Sequence, residues 1–590
     1  MDFSPQQPKP QTNLIHFYSL LCLTIVIVIY TWPLLSQLTT AIPGTAADHD
    51  VATFVWNSGW VHGALQNGKP LLETDAVLLP FGANLRLHTY GLLQGFMAYP
   101  FRASLGVVGA FNLLLIASLW LNGLAVYVLI YDEVRQQAPA LIAAVYAILG
   151  TPALVHFRVG RPSFAALWII ALAILAFRRL LTRPTPVNAV SLGLLLLAAL
   201  LSDFQILFYT GLWLGFYGLY WILRYAKKQW GQQGTFLEKI PPAQRPNSIM
   251  RSWGLDRKRL GALLGSGTIF LIPFLAIYYP ALALSGTGDY PQPGLHEMTT
   301  FSFALKHYFQ WPVVPMVYGD YGLFLALLVA ILFFRRRWVS RFWLFATGTF
   351  LLLALGPFLE PTEIPLPFAG FSILPMLRQF RTPSRLTVPA LIGLGMIAGS
   401  LLAVWWPSLR KGPLTLAVLV ILLSGRLGFA LVHDPFLIQT YPTYAFYDQL
   451  AEEGGDFAIL EVPFGVRSGL DRIGQGGEIL QYYQHLHHKR LLNGMIARLP
   501  REVFVFYRTQ PSLLFLSGEA NIVTDAALRE NLAEVLAWSE SCYIIVHTAM
   551  LAGAEEEQRI LAFLDTVSAV RRHTQEADLH IYAVDSSPNC

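Results

Sequence analysis

The sequence predicts an α-helical polytopic membrane bundle of about eleven transmembrane helices, followed by a C-terminal soluble α/β domain. Three observations lead there. Of the 590 residues, 54% are hydrophobic and only 13% charged, and the mean hydropathy is +0.48, a composition that a water-soluble protein does not need. Apolar runs long enough to cross about 30 Å of hydrocarbon recur as far as His433. Beyond Tyr441 the hydropathy falls, and short segments take up strand and helix periodicities.

The runs begin near Ile15, Val108, Ala138, Ser163, Val187, Gln205, Leu260, Gly319, Phe342, Leu386 and Leu414. Those at Val187 and Gln205 join into a stretch too long for one crossing, so it is expected to turn back near Ser202-Asp203. Arg178-Arg179 with Arg183, Lys227-Lys228, Arg257-Lys258-Arg259, Arg335-Arg336-Arg337 and Arg410-Lys411 should all be cytoplasmic. They are, provided that His88 to Pro100, apolar but short and interrupted by glycine, lies on the outer surface as an interfacial helix. The N-terminus is then cytoplasmic, and Ile15 to Leu35 is a retained anchor rather than a signal peptide, in spite of the small residues after Ala41.

This gives a membrane domain over residues 1–440, with a long first outer loop at 36–107, and an extracytoplasmic domain over 441–590. Within the latter, Phe457 to Val462, Tyr543 to His547 and Leu579 to Val584 read as strands, and Glu478 to His487 and Ala526 to Trp538 as helices. His485, His487 and His488 lack metal-ligand spacing and are expected to face water. The formal charge of +5 is small, and the basic residues sit in short loops, so membrane lipids rather than nucleic acid are the expected partners. Of the three cysteines only Cys542 and Cys590 are placed to form a disulfide.

The candidate chemistry lies in outer loops. Asp48-His49-Asp50 precede Val51 to Leu65, whose apolar residues share one helical face, so two carboxylates stand where an interfacial helix begins. An aspartate there caps orphan amides and suits the helix dipole; a pair flanking a histidine also suits proton abstraction or a divalent cation, Mg or Mn, on Asp48 and Asp50. Asp203, in a tight turn between apolar runs, is either a headgroup-exposed turn residue or a functional carboxylate. His156, Arg158 and Arg161 form a second outer turn, and Arg378, Arg381 and Arg385 a third group, with Pro383 preventing one continuous helix across it. Single arginines here serve lipid contact; two groups together suggest an anionic ligand, and phosphate matches the guanidinium fork.

A first span, a long outer loop with paired acidic residues and a following helix, a second interfacial segment and then a bundle of spans resemble the GT-C superfamily of membrane glycosyltransferases. The residues that carry the likeness are Asp48 to Leu65, Leu79-Pro80-Phe81-Gly82-Ala83-Asn84-Leu85, His88 to Pro100 and Phe380-Arg381-Thr382-Pro383-Ser384-Arg385. Asp48 to Leu65, the Leu79 to Leu85 segment and the Phe380 to Arg385 segment are also similar to a largely uncharacterised bacterial multi-pass group within that superfamily. The resemblance implies a cell-envelope glycosyltransferase in the plasma membrane, with a polyprenyl-phosphate-linked sugar as donor and a glycan, lipid or protein acceptor. It also implies that Asp48 or Asp50 is the catalytic base or a metal ligand; His49, His156, Arg158, Arg161, Asp203, Arg378, Arg381 and Arg385 are, from the residues themselves, the candidates for binding substrate. Two other classes compete: a transporter or flippase for an amphipathic lipid, which needs interrupted spans and polar groups through the bundle, and a non-catalytic assembly protein.

Overall fold

The computed structural model describes residues 11–236, 256–286, 288–305, 329–332, 340–373, 380–409, 412–519 and 524–585. It divides into two compact units, one formed by residues 1–37, 113–276 and 294–437, the other by 38–112, 277–293 and 438–590.

The first is a helical membrane unit. Among the described residues of the chain six helical stretches are long and apolar enough to cross a bilayer: Leu92–Val134, which is interrupted at Gly106 and belongs to this unit only from residue 113, Pro162–Thr182, Phe204–Tyr225, Arg257–Ala281, Pro383–Ser408 and Pro413–His433. A seventh crossing is available if Gln137–Ile148 and Thr151–Arg158, bent by 54°, count as one. His16–Tyr30, Pro186–Ser202 and Arg341–Ala354 are apolar but shorter. Helices therefore occupy ten of the eleven expected runs, without establishing eleven crossings; of the run at Gly319 only residues 329–332 are described, and the Arg335 to Arg337 cluster lies outside the described residues. The expected reversal is present, with Asp203 extended between Pro186–Ser202 and the helix from Phe204.

The most enclosed of these helices, Thr387–Trp405, is buried along nearly its whole length. Its glycines permit that. A Cβ on Gly399 would stand 2.5 Å from Ile130, and one on Gly395 3.2 Å from Ala147, so small residues let neighbouring backbones approach where lipid offers no hydrophobic drive.

The second unit corrects the expected domain boundary. Residues 38–112, nearly all of them in the expected first outer loop, group with the C-terminal segment and not with the bundle. Ile42–Pro43 pairs antiparallel with Ile438–Gln439. The amide of Leu491 donates to Ala76 O (2.9 Å) and that of Leu79 to Leu491 O (3.2 Å), while the Tyr507 hydroxyl donates to the carbonyl of Leu79. Trp56 Nε1 donates to Gln484 Oε1 at 2.8 Å. His88, expected at the start of an interfacial helix, is instead extended and buried; its Nδ1 accepts from the Ala497 amide (2.9 Å), which leaves Nε2 to donate to Asn57 Oδ1 (3.0 Å). Only Leu92–Ala98 of that segment is regular helix, too short to span, and Gly106, at φ +69°, breaks the helical path just beyond it.

The helix after the paired aspartates, Asp50–Asn67, is also not a surface helix. It is buried almost all round, packed between Leu92–Ala98 and Gly477–His487, so the apolar face seen in the sequence understates its burial. For the same reason His485 and His487 are buried rather than facing water, and only His488, at the helix end, is exposed.

Behind these elements stands a five-stranded sheet in the order Arg490–Leu491, Ala458–Val462, Ser541–His547, Leu579–Val584, Val570–Glu576. The first three strands are parallel and the last two antiparallel. A second, three-stranded sheet orders Gly494–Met495, Gly465–Arg467 and Arg472–Gly474. Cys542 is disulfide-bonded and Cys22 is a free thiol; Cys590 lies outside the described residues.

Candidate functional site

Two groups of ionisable residues stand out, one in each unit.

In the loop and C-terminal unit, the chain turns at Gly44, whose φ of +106° and 3.0 Å clearance from Asp48 Cβ leave no room for a side chain. That turn presents the Thr45 amide and hydroxyl to Asp48 Oδ2, both at 2.9 Å. Asp48 is therefore a turn-closing residue by one of its oxygens. Asp50 opens the Asp50–Asn67 helix, where its charge complements the helix N-terminus, and His49 beside it is exposed.

Facing Asp50 are residues that the sequence reading missed because it treated the distal domain as a separate module. Arg467, at the end of Gly465–Arg467, places Nη1 3.9 Å from Asp50 Oδ1 and binds the Glu478 carboxylate at the start of Gly477–His487. Glu478 is almost wholly buried, whereas Arg467 is 42% and Asp50 32% exposed. Tyr441 Oη and Gln439 Nε2 are buried without hydrogen-bond partners among the described residues. Burial pushes the Tyr441 phenol up, and the charges of Glu478 and Asp48 act in the same direction. No local signal marks these residues; their only sequence trace is the alternation that makes Gly465–Arg467 a strand.

In the membrane unit, Thr151–Arg158 carries His156 and Arg158 on the far side of the 54° bend. His156 is 6% exposed, lies edge-on to Phe164 at 5.6 Å, and its Nδ1 has no partner among the described residues. The charges of Arg161 and Arg385 both lie within range of that ring, and Arg385 is also within range of Asp203. Arg385 stacks on Phe164 at 4.1 Å and donates to Gln205 Oε1 at 3.2 Å; the Gln205 amide donates to Asp203 Oδ1 at 2.7 Å. Asp203 thus caps the helix from Phe204 while anchoring the residue that holds Arg385.

The other predicted arginines do not join this group. Arg158 Nη1 donates to Asp434 Oδ1 (2.9 Å), and Asp434, 2% exposed, also accepts from Thr151 Oγ1 (2.7 Å) while its carbonyl accepts from Tyr30 (2.8 Å). Arg381 pairs with Glu297 at 3.4 Å and covers the Phe301 ring at 4.5 Å. Arg378 lies outside the described residues. Asp434 escaped the sequence reading because, next to His433 at the end of a span, it looks like an interfacial residue. Arg426, buried in the same helix and bonded to the Leu149 carbonyl freed by the helix break, was hidden among apolar neighbours.

Among the described residues no three His, Cys, Asp or Glu side chains gather in metal-binding geometry. Asp48 gives one oxygen to Thr45, and Asp50 faces a guanidinium.

No protein-family model and no curated protein matches the sequence. Solved structures do match. A mutant form of the arabinofuranosyltransferase AftD from Mycobacteria aligns over 99% of this chain and 42% of its own, with a TM-score of 0.55 and 16% identity. Another structure of that enzyme aligns over 97% and 40%, at 0.50 and 13%. The oligosaccharyltransferase of Archaeoglobus fulgidus aligns over 90% and 68% at 11% identity, with a TM-score of 0.44 that is too low to build on. The chain spans about two fifths of the length of the arabinofuranosyltransferase chains. At these identities the likeness concerns fold alone: the chain shares the fold of the aligned part of the arabinofuranosyltransferase.

Proposed function

We propose that the chain is a membrane glycosyltransferase that moves a sugar from a polyprenyl-phosphate carrier to a hydroxyl of a glycan, lipid or protein on the extracytoplasmic face. The observation that carries this reading is the half-exposed Asp50 at a helix N-terminus, opposed by the Arg467–Glu478 pair, within a fold shared with the arabinofuranosyltransferase. The outward orientation rests on the basic clusters, and the disulfide at Cys542 suits an oxidising compartment. It keeps the eleven-crossing topology as part of the proposal.

In the transfer step the acceptor O–H gives its proton to the Asp50 carboxylate while the acceptor oxygen bonds to the anomeric carbon. The bond from that carbon to the phosphate oxygen breaks, and its electron pair leaves on the polyprenyl phosphate. Within the membrane unit, Arg161 and Arg385 with the His156 ring form a basic group whose chemistry suits a phosphate. Asp203 and Gln205 hold Arg385, Asp48 shapes the turn, and His49 contacts the acceptor. Arg158 is assigned to structure through Asp434, and the step does not require Arg378 or Arg381.

The test is transfer in reconstituted vesicles supplied with a panel of radiolabelled polyprenyl-phosphate hexoses and pentoses. The wild-type chain is expected to consume at least one, and the Asp48→Asn, Asp50→Asn double variant none while still inserting and folding. Undiminished turnover by the double variant would overturn the assignment. A second reading, a glycolipid transporter, draws on the 54° break between Gln137–Ile148 and Thr151–Arg158 and the ionisable residues around it. Translocation of the same lipids across the vesicle without sugar transfer would favour it.

A further inference from the structure

We infer that Arg467 stands in for a divalent cation at Asp50, so that sugar transfer at this acidic turn proceeds without metal. The inference rests on the glycosyltransferase reading and concerns how its carboxylate is held.

A carboxylate that takes a proton from a hydroxyl needs a fixed orientation, and in many acidic sites a bound cation supplies it. Here the positive group next to Asp50 is already part of the chain. Arg467 leaves the last position of a three-stranded sheet, where backbone pairing with Arg472 fixes its root. Its guanidinium is tied to Glu478, which is almost fully buried and so cannot trade the arginine for water at low cost. The same guanidinium reaches to 3.9 Å from Asp50 Oδ1. An ion ligated by Asp50 would sit beside this fixed positive charge and be repelled by it. The neighbouring carboxylate gives that ion little help, since Asp48 Oδ2 already accepts from both Thr45 donors. Arg467 is thus a positioning residue: it acts on the acceptor through Asp50. It also gives the C-terminal segment a defined part in the chemistry, because Arg467 and Glu478 belong to that segment and Asp50 to the first outer loop.

Mn²⁺ binding, followed by electron paramagnetic resonance on the detergent-solubilised full chain, tests this without reference to any sugar. The wild-type chain should show no Mn²⁺ site dependent on Asp50. Arg467→Ala and Arg467→Gln, which remove the charge with and without loss of a hydrogen-bonding partner for Glu478, should create one that binds about tenfold or more tightly than any wild-type site. Adding Asp50→Asn to either variant should abolish it. Wild-type transfer should also persist in EDTA. An Mn²⁺ site in the wild-type chain that Asp50→Asn removes would overturn the inference, as would the absence of any gained site in both Arg467 variants when their thermal unfolding remains cooperative. Loss of transfer in EDTA would overturn it too. If Asp50→Asn transfers sugar at the wild-type rate, the glycosyltransferase assignment fails instead, whatever the Mn²⁺ result.

Discussion

In the membrane unit Arg158 is committed to Asp434, a carboxylate 2% exposed that also accepts from Thr151, whereas in the loop and C-terminal unit Arg467 and Asp50 stay 42% and 32% exposed and stand 3.9 Å apart. Both are arginine–aspartate pairs at the ends of secondary-structure elements. The first is closed: its lone pairs are taken and its removal from water is already offset, so it holds helices together and offers nothing to a ligand. The second is open, because half-exposed charges re-pair with an incoming hydroxyl without a large desolvation cost. Charge at such an end therefore marks a functional residue only when its partners leave part of it in water. By that criterion Asp50 qualifies and Arg158 does not, although the sequence presents them alike.

The largest effect that would break this contrast is at Asp434. Asp434→Asn should cost about 3 to 5 kcal/mol by leaving Arg158, only 18% exposed, without its carboxylate, read as a lowered thermal unfolding midpoint in detergent. A neutral outcome would mean that the pair is not closed. In the other unit, His88→Ala removes both the bond from Ala497 and the bond to Asn57 and should cost about 1 to 3 kcal/mol, with faster proteolysis of the first loop. Wild-type proteolysis rates would argue that loop and C-terminal segment are not one folded body.

A pH dependence follows from the same burial. Burial pushes His88 down to about 3 and His485 down to about 4, from 6.5. Both are neutral when folded, so below pH 6.5 the unfolded chain binds more protons. Stability of this unit should then fall as pH drops from 6.5 towards 4, by up to about 1.4 kcal/mol per pH unit for each histidine. His88→Gln should flatten that slope; a flat wild-type profile would contradict the burial. The smallest effect belongs to the exposed pair of Arg571 and Asp585 at 2.7 Å, where Arg571→Ala should change the midpoint by less than about 0.5 kcal/mol.

Much of the architecture was legible. The strands Ala458–Val462 and Leu579–Val584 and the reversal at Asp203 follow from hydrophobic period and length, which depend on local residues alone. Val570–Glu576 was not, because an edge strand reading Val-Arg-Arg-His-Thr-Gln-Glu carries the charges that protect such edges and so lacks alternation. The boundary was misread for a different reason: pairing of Ile42 with Gln439, or of Trp56 with Gln484, joins residues hundreds of positions apart and leaves no periodic trace. The site divides in the same way. Asp48 and Asp50 are visible because they are adjacent, while Arg467 and Glu478 become partners only through the fold.

The most direct test is to measure sugar transfer by Asp50→Asn and Asp48→Asn separately, in vesicles, with the polyprenyl-phosphate sugar that the wild-type chain consumes. Asp50→Asn should lower kcat by about 10² to 10⁴ and leave the donor KM nearly unchanged, and Asp48→Asn should be milder because its main partner is Thr45. A wild-type kcat in Asp50→Asn would contradict the assignment of this turn as the site of proton transfer.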